Sequence, residues 1–221
     1  VMKHMYPAGA VQPLSDGAIY FDGSAKININ GVKDSLTTEH TMMAWVFRTD
    51  TGNGNIFDSD DGNLYRMYIY EDTNTYSYLS WYHSNAIGLV TATTANTMPQ
   101  MTWSHLCGTF SRTGNFQKMY LNGVELALGT ATTSADPTVP SSSYHMGDYF
   151  GGYMCNAGIW ARALTLPEIK SVMWKQYADL TSSETTNLIS WYNLDEETDT
   201  DGTSGTGGVK DHHGSNHGTL A

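Results

Sequence analysis

The chain has 221 residues, of which 40% are hydrophobic and 12% aromatic, enough to build one sizeable β domain with a packed core. Its formal net charge is −11, so it lacks the basic footprint with which nucleic-acid binders displace counterions from phosphates. No apolar run approaches the roughly 18 residues of a membrane span, and no signal peptide is visible. We therefore expect neither a nucleic-acid partner nor membrane insertion.

The first part of the chain predicts strands. Residues 1–17 form an irregular lead-in, and a single domain is expected over 18–221. The first strand ends at Asp22-Gly23, a strong turn dipeptide, and the continuous apolar run 42–47 predicts a central core strand. Residues 50–63 follow as a predicted loop. Its acids Asp58, Asp60 and Asp61 lack the spacing of a calcium helix–loop–helix site, which favours a role in turns.

A hairpin predicted over residues 64–82 carries the candidate ligand-binding face. Alternation places Tyr65, Met67 and Ile69 on a core-like face. The opposite face is rich in tyrosine and comprises Arg66, Tyr68, Tyr70, Tyr76, Tyr78 and Tyr82. Tyrosine is a good strand former, which explains the pattern without a ligand, but aromatic planes also stack on sugar rings and are frequent at protein interfaces. Both explanations stay open, because a one-residue slip in register would exchange the two faces.

The second half of the chain predicts further strands and one clear helix. Asn122-Gly123 is the strongest hairpin signal, and residues 129–143 predict a long surface loop of a length that usually serves a function. The capping box Thr165-Leu166-Pro167-Glu168 begins a short amphipathic helix, expected to pack on the end of the β domain. Cys107 and Cys155 lie in predicted strands, where two buried free thiols are favoured over a cross-strand disulfide.

The C-terminal segment combines a strand with a polar tail. Residues 188–195 predict the strand, and a stretch rich in Gly, Thr and Asp follows. His212, His213 and His217 suggest a metal site. Their Gly-Ser-Asn context is typical of a turn, however, and no second ligand cluster with transition-metal spacing accompanies them, so a turn is favoured.

In their order and spacing, these pieces resemble the laminin-G-like jelly rolls of the concanavalin A-like lectin/glucanase superfamily. The matching stretches are Ile19-Tyr20-Phe21-Asp22-Gly23-Ser24, Thr41-Met42-Met43-Ala44-Trp45-Val46, Trp103-Ser104-His105-Leu106, Leu121-Asn122-Gly123-Val124-Glu125, and Phe150 through Ile169. The resemblance implies an all-β, two-sheet antiparallel jelly-roll sandwich with one short helix in its C-terminal half.

The resemblance extends to the C-terminal segment and fails at one place. Residues 187–221 look like the stretch that usually opens such a domain, so they either complete this sandwich in a permuted arrangement or begin a following repeat. Tandem repeats or a homo-oligomer therefore stay open. Family members often carry an acidic pair where this chain has Cys155-Asn156. The resemblance leaves Asp22, Asp195 and Asp211 as candidate ligands for one Ca²⁺.

Enzymatic activity is not expected. The β-glucanases of the superfamily place Glu-x-Asp-x-x-Glu on one strand, so that alternate acids share a face, and this sequence has no such motif. It also lacks a Gly-x-Ser-x-Gly elbow, a phosphate loop and a His-Glu-x-x-His pair. We expect a non-catalytic adhesion or recognition module of a larger extracellular or virion structural protein, binding glycan or protein surfaces. The alternative is a Ca²⁺-dependent carbohydrate-binding module of a secreted glycan-degrading enzyme.

Overall fold

A computed structural model describes residues 12–36, 38–60, 65–72, 76–82, 89–93, 98–129, 140–195 and 208–221, with the backbone alone for 71–72, 76–82 and 89–90. The strands are β1 Ile19–Asp22, β2 Ile27–Asn28, β3 Glu39–Arg48, β4 Gly54–Ser59, β5 Arg66–Asp72, β6 Tyr76–Tyr82, β7 Leu89–Thr91, β8 Trp103–Ser111, β9 Phe116–Leu121, β10 Val124–Glu125, β11 Tyr144–Met146, β12 Gly151–Trp160, β13 Leu188–Tyr192, β14 Gly208–Val209 and β15 Gly218–Leu220. The helices are α1 Leu166–Val172 and two 3-10 helices, Asn30–Ser35 and Tyr177–Asp179.

These strands form two antiparallel sheets. The first sheet has the order β1-β12-β3-β8-β9-β10, and β13 pairs with the part of β12 that β1 leaves unpaired. The second sheet has the order β14-β15-β2-β11-β4-β5-β6-β7. The predicted two-sheet antiparallel jelly-roll sandwich with one short helix is confirmed.

The main core lies between the two sheets. Phe21, Val46 and Leu106 of the first sheet belong to one buried cluster with Met67 and Met146 of the second. Each such side chain contributes about 1.5–3 kcal/mol when it is fully removed from water. The alternation of these residues with polar neighbours therefore fixes which face of the second sheet points inward.

The first sheet is buried on its outer face as well. There Met43 and Cys107 pack with Trp160 and with Ile169 and Val172 of helix α1. This double burial explains why residues 42–47 read as a continuous apolar run. Helix α1 thus lies on the outer face of the first sheet and not at the end of the sandwich as predicted, because that face offers an apolar surface wide enough for the helix stripe.

The structure corrects the prediction of a loop over residues 50–63. Residues 54–59 form β4, which pairs with β5 on one side and β11 on the other. Polar residues mislead here because Asn55 and Asp58 satisfy each other inside the sheet, where the Asn55 side-chain amide donates to Asp58 Oδ2 at 2.6 Å. Because their polar groups are paired, these residues can be buried in a strand although their composition is typical of a loop.

The cysteines are free and buried, as predicted. Cys107 packs in the cluster under helix α1, whereas Cys155 packs with Trp45 and Trp103. Burial raises the pKa of both thiols, because the thiolate would lose its hydration. Both cysteines therefore act as small apolar side chains.

The C-terminal residues take part in both sheets. β13 pairs with β12 in the first sheet, and β15 pairs with β2 in the second. Between them, the Tyr192 hydroxyl donates to the Asn216 carbonyl at 2.6 Å. Among the described residues, no helix combines the length and apolar character needed to cross a bilayer.

Candidate functional site

The structure confirms the predicted hairpin, which is formed by β5 and β6. Met67 pairs with Trp81 and Ile69 with Leu79. Met67 and Ile69 are buried, whereas Tyr70 is 42% exposed. The division of β5 into a core-facing and an outward row is therefore the one expected from the sequence.

The six predicted ligand-binding residues are placed to different degrees. Arg66, Tyr68 and Tyr70 lie on the outer face of β5, next to one another along the strand. The backbones of Tyr76, Tyr78 and Tyr82 pair with those of Asp72, Tyr70 and Arg66, and their side chains lie outside the described residues. Their role in binding stays a prediction.

The guanidinium group of Arg66 is held in one orientation on this face by its neighbours. Its guanidinium carbon lies 4.0 Å from the centroid of the Tyr68 ring, a cation–π contact. Its Nε and Nη2 both donate to Asn55 Oδ1, at 2.9 and 2.7 Å. Its Nε also lies 3.4 Å from Asp58 Oδ2. These contacts fix the orientation of the guanidinium beside the Tyr68 and Tyr70 rings, whose centroids are 6.4 Å apart.

Asp58 is a buried carboxylate at the centre of this face. It is 6% exposed and accepts a hydrogen bond from the backbone N–H of Ser59 at 2.8 Å as well as from Asn55. Burial raises its pKa to about 6, against the opposing effect of the Arg66 charge, and the nearby Asp148 and Asp60 raise it further. The buried negative charge thus depends on positive neighbours.

His145 lies beside Asp58 on the adjacent strand. The two residues pair directly in the β11–β4 register. His145 is 1% exposed, with Nε2 3.5 Å from Asp148 Oδ2 and Nδ1 3.8 Å from Asp60 Oδ1. Burial and the Lys26 ammonium lower its pKa, and the two carboxylates oppose them only in part. The imidazole is therefore neutral near pH 7.

Asp148 is brought to this cluster by a tight turn. Gly147 adopts φ 83°, and a Cβ atom at this position would collide with the Phe21 ring. The Asp148 carbonyl then accepts a hydrogen bond from the Asn55 backbone N–H at 2.9 Å. Within the described part of the chain, one group of three His, Cys, Asp or Glu residues has its possible metal-ligating atoms within 4.8 Å of one another. This group is Asp58, His145 and Asp148.

His145 and Asp148 were not among the predicted site residues. Tyr144 and Met146 are fully buried on either side of His145, so alternation alone places His145 on the outer face. What the sequence does not reveal is that β11 lies next to β4, because that pairing joins distant parts of the chain.

The three predicted calcium ligands lie in separate places. Asp22 Oδ1 accepts hydrogen bonds from the backbone N–H and hydroxyl of Ser24, at 2.9 and 2.7 Å, and from the Ala25 N–H at 3.1 Å. These bonds, led by that of the Ser24 side chain, lower its pKa. Asp195 lies against Gly17. The structure does not gather these residues into one cluster, and calcium binding by them stays a prediction.

Asp211 organises the C-terminal loop. Its Oδ1 accepts hydrogen bonds from the backbone N–H groups of Trp191 and His213, both at 3.0 Å. Its Oδ2 accepts from the Asn216 N–H at 3.1 Å. The Asp211 N–H donates to His217 Nδ1 at 3.1 Å. This arrangement is a hydrogen-bonded turn, which agrees with the turn favoured for the C-terminal histidines.

Cys155-Asn156, where this chain departs from the family pattern, lies at a bulge in β12. Asn156 adopts φ 48°, a left-handed conformation that asparagine tolerates well. Its side-chain amide donates to the Leu14 carbonyl at 2.7 Å. The asparagine therefore anchors the segment that leads into β1.

The chain is a two-sheet jelly-roll sandwich with Arg66, Tyr68 and Tyr70 on the outer face of its second sheet. The sequence model of the concanavalin A-like lectin/glucanases superfamily matches residues 21–170, and the chain belongs to that superfamily. No curated protein matches the chain at a significant level.

Solved structures share this fold. A candidate carbohydrate-binding protein from Bacteroides ovatus is similar with a TM-score of 0.71 and 18% identity over 92% of this chain, which spans 57% of that protein's length. A CBM40 domain of a Ruminococcus gnavus IT-sialidase, solved with α2,3-sialyllactose, has a TM-score of 0.56 and 11% identity over 75% of this chain and 100% of its own. A heptameric SAP-like pentraxin from Limulus polyphemus has a TM-score of 0.54 and 14% identity over 71% of this chain and 81% of its own.

Proposed function

We propose that this chain is a non-catalytic recognition module that binds glycans on the outer face of its second sheet. The observation that carries the proposal is the fixed row of Arg66, Tyr68 and Tyr70. An aromatic plane offers a surface for the C–H face of a sugar ring, and a guanidinium offers donors for its hydroxyls. Because Asn55 and Asp58 already hold Arg66 in place, a ligand would meet an ordered surface and lose less conformational entropy on binding.

The same face argues against glycoside hydrolysis. A glycosidase holds two carboxyl groups on either side of the scissile bond, roughly 5–9 Å apart. Asp58 has a raised pKa, as a general acid would, but it is buried and bonded to Asn55. Its Oδ2 accepts a hydrogen bond from Asn55 and lies 3.4 Å from Arg66 Nε, so the residue suits support of Arg66 better than proton transfer.

Two settings fit such a module. One is an adhesion domain of a larger extracellular or virion structural protein, where the ligand is a surface glycan or a protein. The second is a Ca²⁺-dependent carbohydrate-binding module of a secreted glycan-degrading enzyme. The Bacteroides and Ruminococcus structures favour the second setting, since one is a candidate carbohydrate-binding protein and the other a sialidase CBM40 solved with a sialylated sugar.

A glycan array followed by titration calorimetry tests the proposal. We expect wild-type protein to bind at least one glycan class and the Tyr70→Ala variant to bind it about tenfold or more weakly, as for a central aromatic contact worth over 1 kcal/mol. Tyr20→Ala is the matched control, because Tyr20 is 52% exposed but lies on β1 of the first sheet.

Each outcome of this experiment is informative. Absence of any glycan signal, with or without calcium, would remove the glycan proposal. Equal losses in the Tyr20 and Tyr70 variants would show that the outer face of β5 is not the site. Binding that disappears with a chelator would favour the Ca²⁺-dependent module.

A further inference from the structure

The surroundings of His145 present a chemical problem. Each of its two ring nitrogens faces a carboxylate oxygen, Nε2 that of Asp148 and Nδ1 that of Asp60. The separations of 3.5 and 3.8 Å are long for hydrogen bonds, and neither nitrogen has a hydrogen-bond partner among the described residues. Within the described structure, this side chain, only 1% exposed, therefore lacks the hydrogen bonds that buried polar atoms normally make.

A cation would resolve this arrangement, and the spacing suits one. Metal–ligand bonds of 2.0–2.2 Å in a tetrahedral site separate neighbouring ligand atoms by about 3.4 Å. His145 Nε2 and Asp148 Oδ2 are 3.5 Å apart. The distances from the Asp58 carboxylate to the ligand atoms of His145 and Asp148 are at most 4.8 Å. Rotation of the carboxylates towards a bound ion would shorten these distances.

We propose that Asp58, His145 and Asp148 form a binding site for a divalent transition-metal ion of the zinc class. Calcium prefers six to eight oxygen ligands, whereas a mixed set of one imidazole and two carboxylates suits zinc and its neighbours. Asn55 and Ser59 orient the Asp58 carboxylate from behind, as outer-shell partners of metal ligands do.

The charges around the site agree with a divalent ion. Asp58, Asp60 and Asp148 face Arg66 and Lys26, whose ammonium lies 3.2 Å from Asp60. The three carboxylates and the two cations sum to one negative charge. Arg66 does not block the ion, because its two hydrogen bonds to Asn55 Oδ1 would hold it in place if Asp58 turned towards the metal.

Calorimetric titration of chelator-treated protein with zinc chloride, and separately with calcium chloride, tests this site independently of any glycan. We expect one equivalent of Zn²⁺ to bind, and the Asp148→Asn and His145→Gln variants to bind it at least tenfold more weakly. Glu125→Gln is the control, since Glu125 is an exposed carboxylate paired with Lys118 on another part of the molecule. The His213→Ala variant should still bind one equivalent of Zn²⁺, which would show that the C-terminal histidines are not the site.

Three results would overturn the proposal. They are no stoichiometric Zn²⁺ binding by the wild type, tighter binding of Ca²⁺ than of Zn²⁺ at this site, and unchanged Zn²⁺ affinity in Asp148→Asn. Thermal unfolding without metal establishes which variants are folded. If His145→Gln does not fold, the partly exposed, nearly isosteric Asp148→Asn decides the matter alone.

Discussion

At the scale of single residues, two buried histidines have contrasting surroundings. His145 lies among carboxylates, whereas the His105 ring centroid lies 5.4 Å from that of Trp45. In the described part of the chain, neither ring nitrogen of His105 has a hydrogen-bond partner. Burial lowers the pKa of His105 to about 3. Because protonation would place an unpaired charge in the core, the neutral ring of His105 should make the fold sensitive to acid.

The pH dependence of stability tests this reading of His105. The unfolded histidine titrates near pH 6.5 and the folded one near 3, so the unfolded state binds more protons between these values. The contribution of His105 to stability is therefore complete above pH 6.5 and falls by about 1.4 kcal/mol for each pH unit below it. Relative to His105→Leu, the wild type should lose about 2 kcal/mol between pH 6.5 and 5, measured by urea unfolding.

The comparison with the variant isolates this effect. Asp58 has a raised pKa, so its destabilising contribution is absent below its unfolded pKa and grows as pH rises towards 6. That contribution has the opposite sign, but it is present in both proteins and cancels in the difference. Parallel pH profiles of wild type and variant would show that His105 is protonated as easily in the folded state as in the unfolded one.

At the scale of elements, helix α1 shows how a short segment is kept helical. Seven residues are too few for a stable helix in water. The Glu168 carboxylate accepts hydrogen bonds from the N–H and hydroxyl of Thr165, at 2.8 and 2.7 Å, and from Arg162 Nη1 at 2.7 Å. Ile169 and Val172 bury the inner side of the helix against the first sheet. Capping and burial together therefore stabilise a helix that would be too short to form alone in water.

Replacing Glu168 by alanine should weaken this element. We expect a loss of about 1–2 kcal/mol in unfolding free energy, because the variant removes the cap contact and leaves Arg162 without this carboxylate. Lys170→Ala, on the exposed side of the same helix, should change stability by less than about 0.5 kcal/mol. Denaturant unfolding of both variants measures the difference, and equal effects would mean that the cap contributes nothing.

At the scale of the whole molecule, the C-terminal residues join the two sheets. β13 lies in the first sheet and β15 in the second, and the loop between β14 and β15 is bonded back to β13. Trp191 packs against Trp160 with ring centroids 6.0 Å apart. A chain that lacked these strands would expose the edges of both β12 and β2.

Truncation tests whether residues 187–221 belong to this sandwich or to a following repeat. If they complete it, a chain ending at residue 186 should lose cooperative thermal unfolding and aggregate, because apolar surface and strand edges become exposed. Removal of residues 219–221 alone should only lower the melting temperature, since it deletes the two-residue pairing of β15 with β2 and one of the two residue pairs between β14 and β15. A truncated chain that melts like the intact one would instead support the following-repeat interpretation.

The sequence by itself determined the fold class and much of the local structure. The alternation in β5, the apolar run in β3 and the capping box before α1 are local patterns, and each predicts its element without knowledge of distant residues. The same patterns identified Arg66, Tyr68 and Tyr70 as an outward row. The strand over residues 54–59 was not predicted, because Asn55 and Asp58 are typical of loops and their mutual hydrogen bond is visible only in the structure.

Only the tertiary structure decided what surrounds that row. Asp58, His145 and Asp148 meet because β11 pairs with β4 across a long stretch of chain, and pairing between distant strands leaves no signal in the local sequence. Burial then changes their chemistry by raising the pKa of Asp58 and lowering that of His145. The tertiary structure also shows what two of the carboxylates suggested as calcium ligands contact. Asp22 accepts a hydrogen bond from the backbone N–H of Ser24, and Asp211 accepts one from that of Trp191.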